Sequence, residues 1–445
     1  MEKHLFLQKI REAGVVGEGG AGFPAQVKYD TQVETVIANG CECEPLLYSD
    51  QHIMTSEAAH VVRAMQALVE AVGAKRGVIG IKRKYTEVAR IFQEAMVGTG
   101  LELARLDNFY PAGDEQVLVH EVTGRTIPPL GLPKDVGAVV ANVGTLAAVS
   151  RAMDGTPVTH KIVTVTGEVA EPSVIRVPLG TSVRECIAQC GGATVPDPVL
   201  IMGGPMMGKI LDEQADMDAA VITKTAGGII VLPRGHYLHE QATLSVPVMQ
   251  KRAAVACIQC RQCTELCPRY LIGHGFETHK VMRAFSSGED VAMGALQAVM
   301  CCECGVCELF SCPMGLSPRR INATLKARFR EHKVQYDGPR EVKPAQSDLR
   351  TFRKVPVPRL AGKIGIARYM DLHPEFAGEH VPAEVSIPLH QHIGAPSVAQ
   401  VRVGDQVNVG DCIGVPPEKA LGAFIHASIK GVVTAVGSSV VIKGA

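Results

Sequence analysis

Eight cysteines in two runs carry the chemistry for which this sequence can be read. Cys257, Cys260, Cys263 and Cys267 stand in CIQCRQCTELCP, a C-x2-C-x2-C-x3-C run closed by Pro268, and Cys301, Cys304, Cys307 and Cys312 repeat it in CCECGVCELFSCP. Three thiolates on one tight loop can hold three corners of an iron–sulfur cubane, while the fourth, before proline at a helix start, reaches across to the other cluster. The spacing predicts two 4Fe–4S clusters and single-electron transfer. Structural zinc takes its four ligands from two pairs, not from three cysteines two residues apart followed by Cys-Pro. A disulfide framework belongs to short secreted chains, and this chain has 445 residues and no signal-peptide pattern. The second run departs from the first: Cys312 comes one residue late, and Cys302 is an extra thiol, read as a non-ligand.

A second constellation lies near the N-terminus. GVVGEGGAGFPAQVK holds Gly17, Gly19, Gly20 and Gly22, then Phe23, Pro24 and Lys28. It contains G-x-G-x-x-G, but the preceding LFLQKIREA reads as helix and not as the strand that a dinucleotide fingerprint requires. Glycines at this density let backbone N–H groups approach an anion, and Lys28 can add a positive charge, so a phosphate-bearing ligand and a tight surface loop are both open readings. Three further segments point to one crevice: ANGCECEP (38–45) with Asn39, Glu42 and Glu44, YPAGDEQ (110–116) with Asp114 and Glu115, and ANVGT (141–145) with Asn142 and Thr145. Each follows a strand-like stretch, and the carboxyl ends of strands in an α/β sheet are where ligands bind.

The elements that must position these groups divide the chain. Residues 1–155 alternate helical and strand patterns and read as an α/β domain, and 156–240 pair strands around a glycine turn with a short helix, a β-grasp-like module. Residues 245–335 are helical around the cysteine loops, 336–380 are Pro-rich and read as a linker, and 381–445 repeat short strands as a compact β-barrel or sandwich. Lys plus Arg equal Asp plus Glu at 45 each, which argues against a nucleic-acid partner. No stretch reaches about 18 uninterrupted apolar residues, so a cytoplasmic protein without a transmembrane segment is expected, and reduced thiolates fit that compartment. Cys186, Cys190 and Cys412 read as small core residues, and His390, His392 and His426 as structural histidines rather than metal ligands. The helical start is read as feeding the glycine loop, with a short amphipathic targeting address over residues 1–9 as the alternative.

Taken together, GEGGAGFPAQVK, NGCECEP, YPAGDEQ and NVGT resemble the FMN-binding fold of the flavoprotein subunit of respiratory complex I, and more closely the C subunits of Rnf-type ferredoxin:NAD oxidoreductases. The resemblance implies that Gly17, Gly19, Gly20 and Lys28 hold the FMN phosphate and ribityl chain. It implies that Asn39, Glu42, Asp114, Glu115, Asn142 and Thr145 line the flavin, and that Phe23 and Glu44 meet NADH. Cys41 stands where complex I has aspartate. MGGPMMGK (202–209) and TKTAGG (223–228) look like a soluble-ligand-binding β-grasp (SLBB) domain, and the cysteine runs like a two-cluster ferredoxin-like domain. The tail from IPLHQHIGAP (387–396) looks like the barrel-sandwich hybrid that Rnf C subunits carry at their N-terminus, here C-terminal. That order is similar to the cobalamin reductase family of propanediol-utilisation bacterial microcompartments. The resemblance implies an oxidoreductase that passes electrons from NADH through FMN to two 4Fe–4S clusters and reduces cobalamin to recycle the coenzyme of a diol dehydratase. It also implies an adenosyltransferase or other microcompartment proteins as partners. No D-x-H-x-x-G corrinoid signature is present, so cobalamin is expected as substrate. An Rnf-like adaptor between NADH or ferredoxin and a partner reductase is the alternative.

Overall fold

The computed structural model describes residues 1–288, 293–343 and 347–444. Residues 289–292, 344–346 and 445, which fall within the expected cluster, linker and barrel segments, lie outside the described residues. The first unit is built on a parallel sheet whose strands run in the order Glu102–Leu106, Arg76–Lys82, Thr35–Gly40, Ala138–Asn142. The central strand Thr35–Gly40 is almost wholly buried, as a parallel strand covered on both faces must be. Helices Ala58–Ala71 and Val143–Met153 pack on the sheet through apolar residues at helical spacing, among them Val61, Met65, Leu68, Leu146 and Val149. The opening helix Lys3–Glu12 buries Phe6 and Ile10 in the same core, each contributing about 1.5–3 kcal/mol. It therefore leads into the glycine loop as a structural element.

The second unit is a mixed sheet of six strands in the order Glu375–Glu379, Ser173–Pro178, His160–Gly167, Gly228–Pro233, Pro198–Met202, Lys209–Leu211. Helix Val183–Gln189, capped by the Ser182 hydroxyl, lies across it and buries Val183, Cys186 and the following Cys190. The cluster unit is a group of short helices packed on Phe276, Phe285, Leu316, Ile321 and Leu325. The C-terminal unit is a barrel-sandwich of two small antiparallel sheets around Val385, Ile387, Ile413, Ile425, Val433 and Ile442.

Two expectations differ from the structure. Residues 336–380 are more than a linker: Val355–Pro356 pairs antiparallel with Phe109–Tyr110, helix Val357–Lys363 buries Val357, Leu360 and Ala361, and Glu375–Glu379 extends the β-grasp sheet. Pro356 and Pro358, two of the prolines that disguise this segment, sit at a helix start, where a missing N–H costs little. Cys412, expected in a core, is exposed. The first, second and C-terminal units are pinned together at Lys224, a buried side chain whose ammonium donates to the carbonyls of Gly14 and Phe424, each at 2.7 Å. His392 is consumed nearby as acceptor of the Ala423 N–H at 2.9 Å, and His390 meets the Gly394 carbonyl at 3.1 Å.

Candidate functional site: a strand-end crevice joined to two thiolate sets

The parallel sheet ends at the predicted polar segments. Asn39, at the end of the central strand, donates to the Gly113 carbonyl at 2.9 Å and accepts from the Cys41 N–H at 3.1 Å, tying NGCECEP to YPAGDEQ. Asn142 ends the neighbouring strand, caps helix Val143–Met153 by accepting from Gly144 at 2.7 Å, and donates to Asp50 at 2.7 Å. Thr145 accepts the backbone N–H of Glu18 at 3.0 Å, which draws the glycine loop onto that helix. A side chain on Gly19 would lie 3.4 Å from the Asn142 amide, whereas Gly20 faces open space. Gly17 donates to the Phe23 carbonyl at 2.9 Å, closing the loop, and Phe23 stands exposed on it. Lys28 pairs with Glu115 at 2.6 Å.

Sequence reasoning missed three charged members of this crevice. Asp50 lies beside Glu42, Glu18 and Lys161 and is raised to about 7, chiefly by burial. Lys161, on a β-grasp strand, is ion-paired with Glu18. Lys82, buried at the end of its strand, lies electrostatically beside Glu42. They come from distant segments and match no local motif. Burial likewise pushes Glu42 and Glu44 up to about 7, leaving carboxyls that can donate as well as accept near neutrality. Lysines, loop amides, carboxamides, a hydroxyl and protonatable carboxyls are the donor set that a flavin phosphate, ribityl chain and ring edge ask for. The residues fit FMN.

Glu44, Asp114 and Tyr110 turn the other way, toward the cysteines. Glu44 accepts from the Met206 N–H at 2.8 Å and lies 3.3 Å from the Tyr110 hydroxyl. Asp114 caps helix Glu115–Thr123 and holds Arg269, two residues past Cys267, through both guanidinium nitrogens at 2.6 and 2.9 Å. Phe23 and Glu44, expected together at the nucleotide, thus occupy different settings, one on the loop surface and one under Met206.

The cysteines form two crossed sets. Cys263 has Cys257, Cys260 and Cys312 as its electrostatic neighbours, and these four line one cavity. Cys267 instead lies beside Cys301, Cys304 and Cys307, with Cys302, hydrogen-bonded to Cys304, as a further thiol among them. The two loops share a backbone: the second and fourth residues after the leading cysteine are left-handed in both, Gln259 and Arg261 at φ 53° and 66°, Glu303 and Gly305 at 58° and 82°. Such alternation turns successive N–H groups inward, the arrangement found at many Fe–S sites. Four donors already reach sulfur: Glu303 N–H and the Asn322 amide to Cys301 at 3.3 and 3.4 Å, Leu316 N–H to Cys312 at 3.4 Å, and the Gln259 amide to Cys257 at 3.1 Å. The extra residue before Cys312 is absorbed by a π-turn over Val306–Ser311, where the first run has an ordinary turn, Gln262–Glu265. Among the described residues no three His, Cys, Asp or Glu side chains converge as ligands of a single ion do, whereas a cubane asks for thiolates at its corners. The inner set, Cys267, Cys301, Cys304 and Cys307, is buried. The outer set has Cys260 exposed and the other three half-buried.

Known proteins carry the same units. Residues 10–151 match the Nuo51 FMN-binding domain, 162–209 the SLBB domain, 256–317 the 4Fe-4S dicluster domain and 375–445 the RnfC barrel sandwich hybrid domain. Cobalamin reductase PduS of Salmonella typhimurium is 43% identical, with 98% of this chain and 95% of that protein covered. This chain belongs to the PduS cobalamin reductase family. The PduS of Citrobacter freundii is 41% identical over 98% of this chain and 96% of its own length. The C subunit of the proton-translocating ferredoxin:NAD(+) oxidoreductase complex of Clostridium ljungdahlii is 35% identical over 59% of this chain and 55% of its own length. An NAD+-reducing NiFe hydrogenase in its air-oxidized state shares the fold, with a TM-score of 0.50 and 20% identity over 83% of this chain and 67% of that one. As a PduS family member, the chain is an oxidoreductase with an FMN domain and a dicluster domain. Among the described residues no helix is long and apolar enough to cross a membrane.

Proposed function

We propose that this protein uses NADH to reduce cob(III)alamin to cob(II)alamin and cob(I)alamin, recycling B12 for a diol dehydratase inside a bacterial microcompartment. The observation that carries the reading is the pair of links between crevice and inner thiolates: Asp114 to Arg269 beside Cys267, and Tyr110 to the Cys304 carbonyl at 2.7 Å. A bound flavin supplies hydride acceptance with release of electrons one at a time, and the clusters take them singly. Gly17, Gly19, Gly20 and Lys28 would hold its phosphate and ribityl chain, and Asn39, Glu42, Asn142 and Thr145 its ring edge and hydroxyls. Glu115 would act through Lys28, to which it is paired, and Phe23 would cover the nucleotide from the loop. Asp114 orients Arg269 and so the inner thiolate loop. The hydride step needs no acid or base, since a hydride carries its own proton and both electrons, and the proton is released once those electrons have left singly. Anaerobic mixing of holoprotein, NADH and hydroxocobalamin is expected to give the cob(II)alamin spectrum, and an unchanged spectrum removes the proposal.

A second reading, an adaptor that passes electrons to a partner reductase, is favoured by the similarity to the C subunit of the ferredoxin:NAD(+) oxidoreductase complex. Affinity capture that retrieves a membrane complex, together with no reduction of free cobalamin, would select it.

A further inference from the structure

The outer thiolate set is framed by apolar side chains that no other described part of the chain covers. Ile258 and Met314 line the cavity that holds Cys257, Cys260, Cys263 and Cys312, and they are 64% and 43% exposed. On helix Val246–Ala256, Val248 and Val255 fall on one face, are 43% and 78% exposed, and share that face with Lys251 and Arg252. Arg252 donates to the Gly315 carbonyl at 2.9 Å, which brings the helix face beside Met314. Contiguous exposed apolar surface of this kind marks binding sites. The inner set offers no such approach, because it is buried beneath the crevice.

We propose that Ile258 and Met314, which line the cavity of Cys260, together with Val248 and Val255 on the adjoining helix face, form the surface on which the corrin ring of cobalamin docks to receive electrons. The proposal rests on the corrinoid-reductase reading and adds where the substrate sits. Four side chains suit the face of a small molecule, whereas a standard protein partner occupies about 20–30 residues a side. Cobalamin presents the apolar face of its corrin ring, rimmed by amides, and one phosphodiester anion on its nucleotide loop, for which Lys251, exposed on the same helix face, supplies the cation. The electrons balance: NADH leaves as NAD+ and a proton with release of two electrons, and each electron converts one cob(III)alamin to cob(II)alamin, which loses an axial ligand. Both electrons delivered to one molecule give cob(I)alamin. Placing the exit here also fixes the direction of flow through the chain, from crevice to inner thiolates to outer thiolates.

Equilibrium dialysis of anaerobic holoprotein against hydroxocobalamin tests the face, with Ile258→Asp and Met314→Glu as variants. Each is expected to raise the dissociation constant at least tenfold while EPR still shows both clusters reduced by NADH. Should Ile258→Asp lose iron, Val255→Asp, on the exposed helix face away from the thiolates, gives the same reading. Unchanged cobalamin affinity in all variants overturns the proposal, and so does unchanged affinity combined with loss of pelleting with anionic phospholipid vesicles, which would assign the face to a membrane. Wild-type protein that neither binds nor reduces cobalamin marks failure of the parent reading. Wild-type protein that reduces it, with variants that bind it equally well, marks failure of the docking face alone.

Discussion

The Tyr110 hydroxyl donates a 2.7 Å hydrogen bond to the backbone oxygen of Cys304, joining a strand of the flavin unit to a ligand loop of the inner cluster 194 residues away. Both groups are buried, so the carbonyl has no water to turn to. Tyr110→Phe keeps the ring and strands that carbonyl. The expected cost is ~1–3 kcal/mol in urea unfolding of the holoprotein, with flavin content unchanged and the EPR signal of the inner cluster shifted. Equal stability and an identical signal would show that the bond is idle.

The Asp114–Arg269 pair is the second link, and its side chains are only 16% and 9% exposed. Removing one partner of a buried pair leaves an uncompensated charge, at a cost of about 3–5 kcal/mol. Asp114→Ala also uncaps helix Glu115–Thr123. Asp114→Asn retains the cap. Both variants are expected to lose iron before flavin as denaturant rises, with Asp114→Ala the more unstable; flavin lost first would place the pair outside the cluster support.

Glu42 sets a pH dependence. Its ordinary value of 4.5 is raised to about 7 by burial, with the Glu44 carboxylate adding to the shift. In the unfolded chain the group ionises first, so its contribution is fully present below pH 4.5 and fades as pH rises through 7. Apoprotein stability should therefore fall across that interval, and Glu42→Gln should flatten the slope, recovering ~1–3 kcal/mol at about pH 8. Parallel pH profiles for the two proteins would contradict this.

Crossed ligation gives a sharper outcome. Cys267 belongs with Cys301, Cys304 and Cys307, and Cys312 with Cys257, Cys260 and Cys263. Cys267→Ser should remove the EPR signal that Cys304→Ser removes, and Cys312→Ser the one that Cys260→Ser removes. Iron should fall to about half in each. Pairing by run, with Cys267→Ser matching Cys260→Ser, would refute the crossing.

The cysteine runs were legible because spacing on a tight loop is local information, and so were the glycine loop and the polar strand ends. What the spacing could not reveal was how a five-residue step from Cys307 to Cys312 matches a four-residue step from Cys263 to Cys267; a π-turn supplies the answer only when the backbone is seen. Asp50, Lys82 and Lys161 escaped because each reaches the crevice by a tertiary contact. The strap at Val355–Lys363 escaped because prolines at a helix start imitate a linker. Lys224 escaped for the same reason as the crevice charges, since its partners lie 210 and 200 residues away.

Anaerobic titration of holoprotein with NADH and then hydroxocobalamin, with flavin and iron assayed on the same sample, bears most directly on the proposed electron path. The expected result is one flavin and about eight iron atoms per chain, bleaching of both chromophores by NADH, and their return as cob(II)alamin appears. Protein that holds flavin and iron, is bleached by NADH and stays bleached with hydroxocobalamin present would contradict the assignment of substrate; protein lacking either chromophore would contradict the path as a whole.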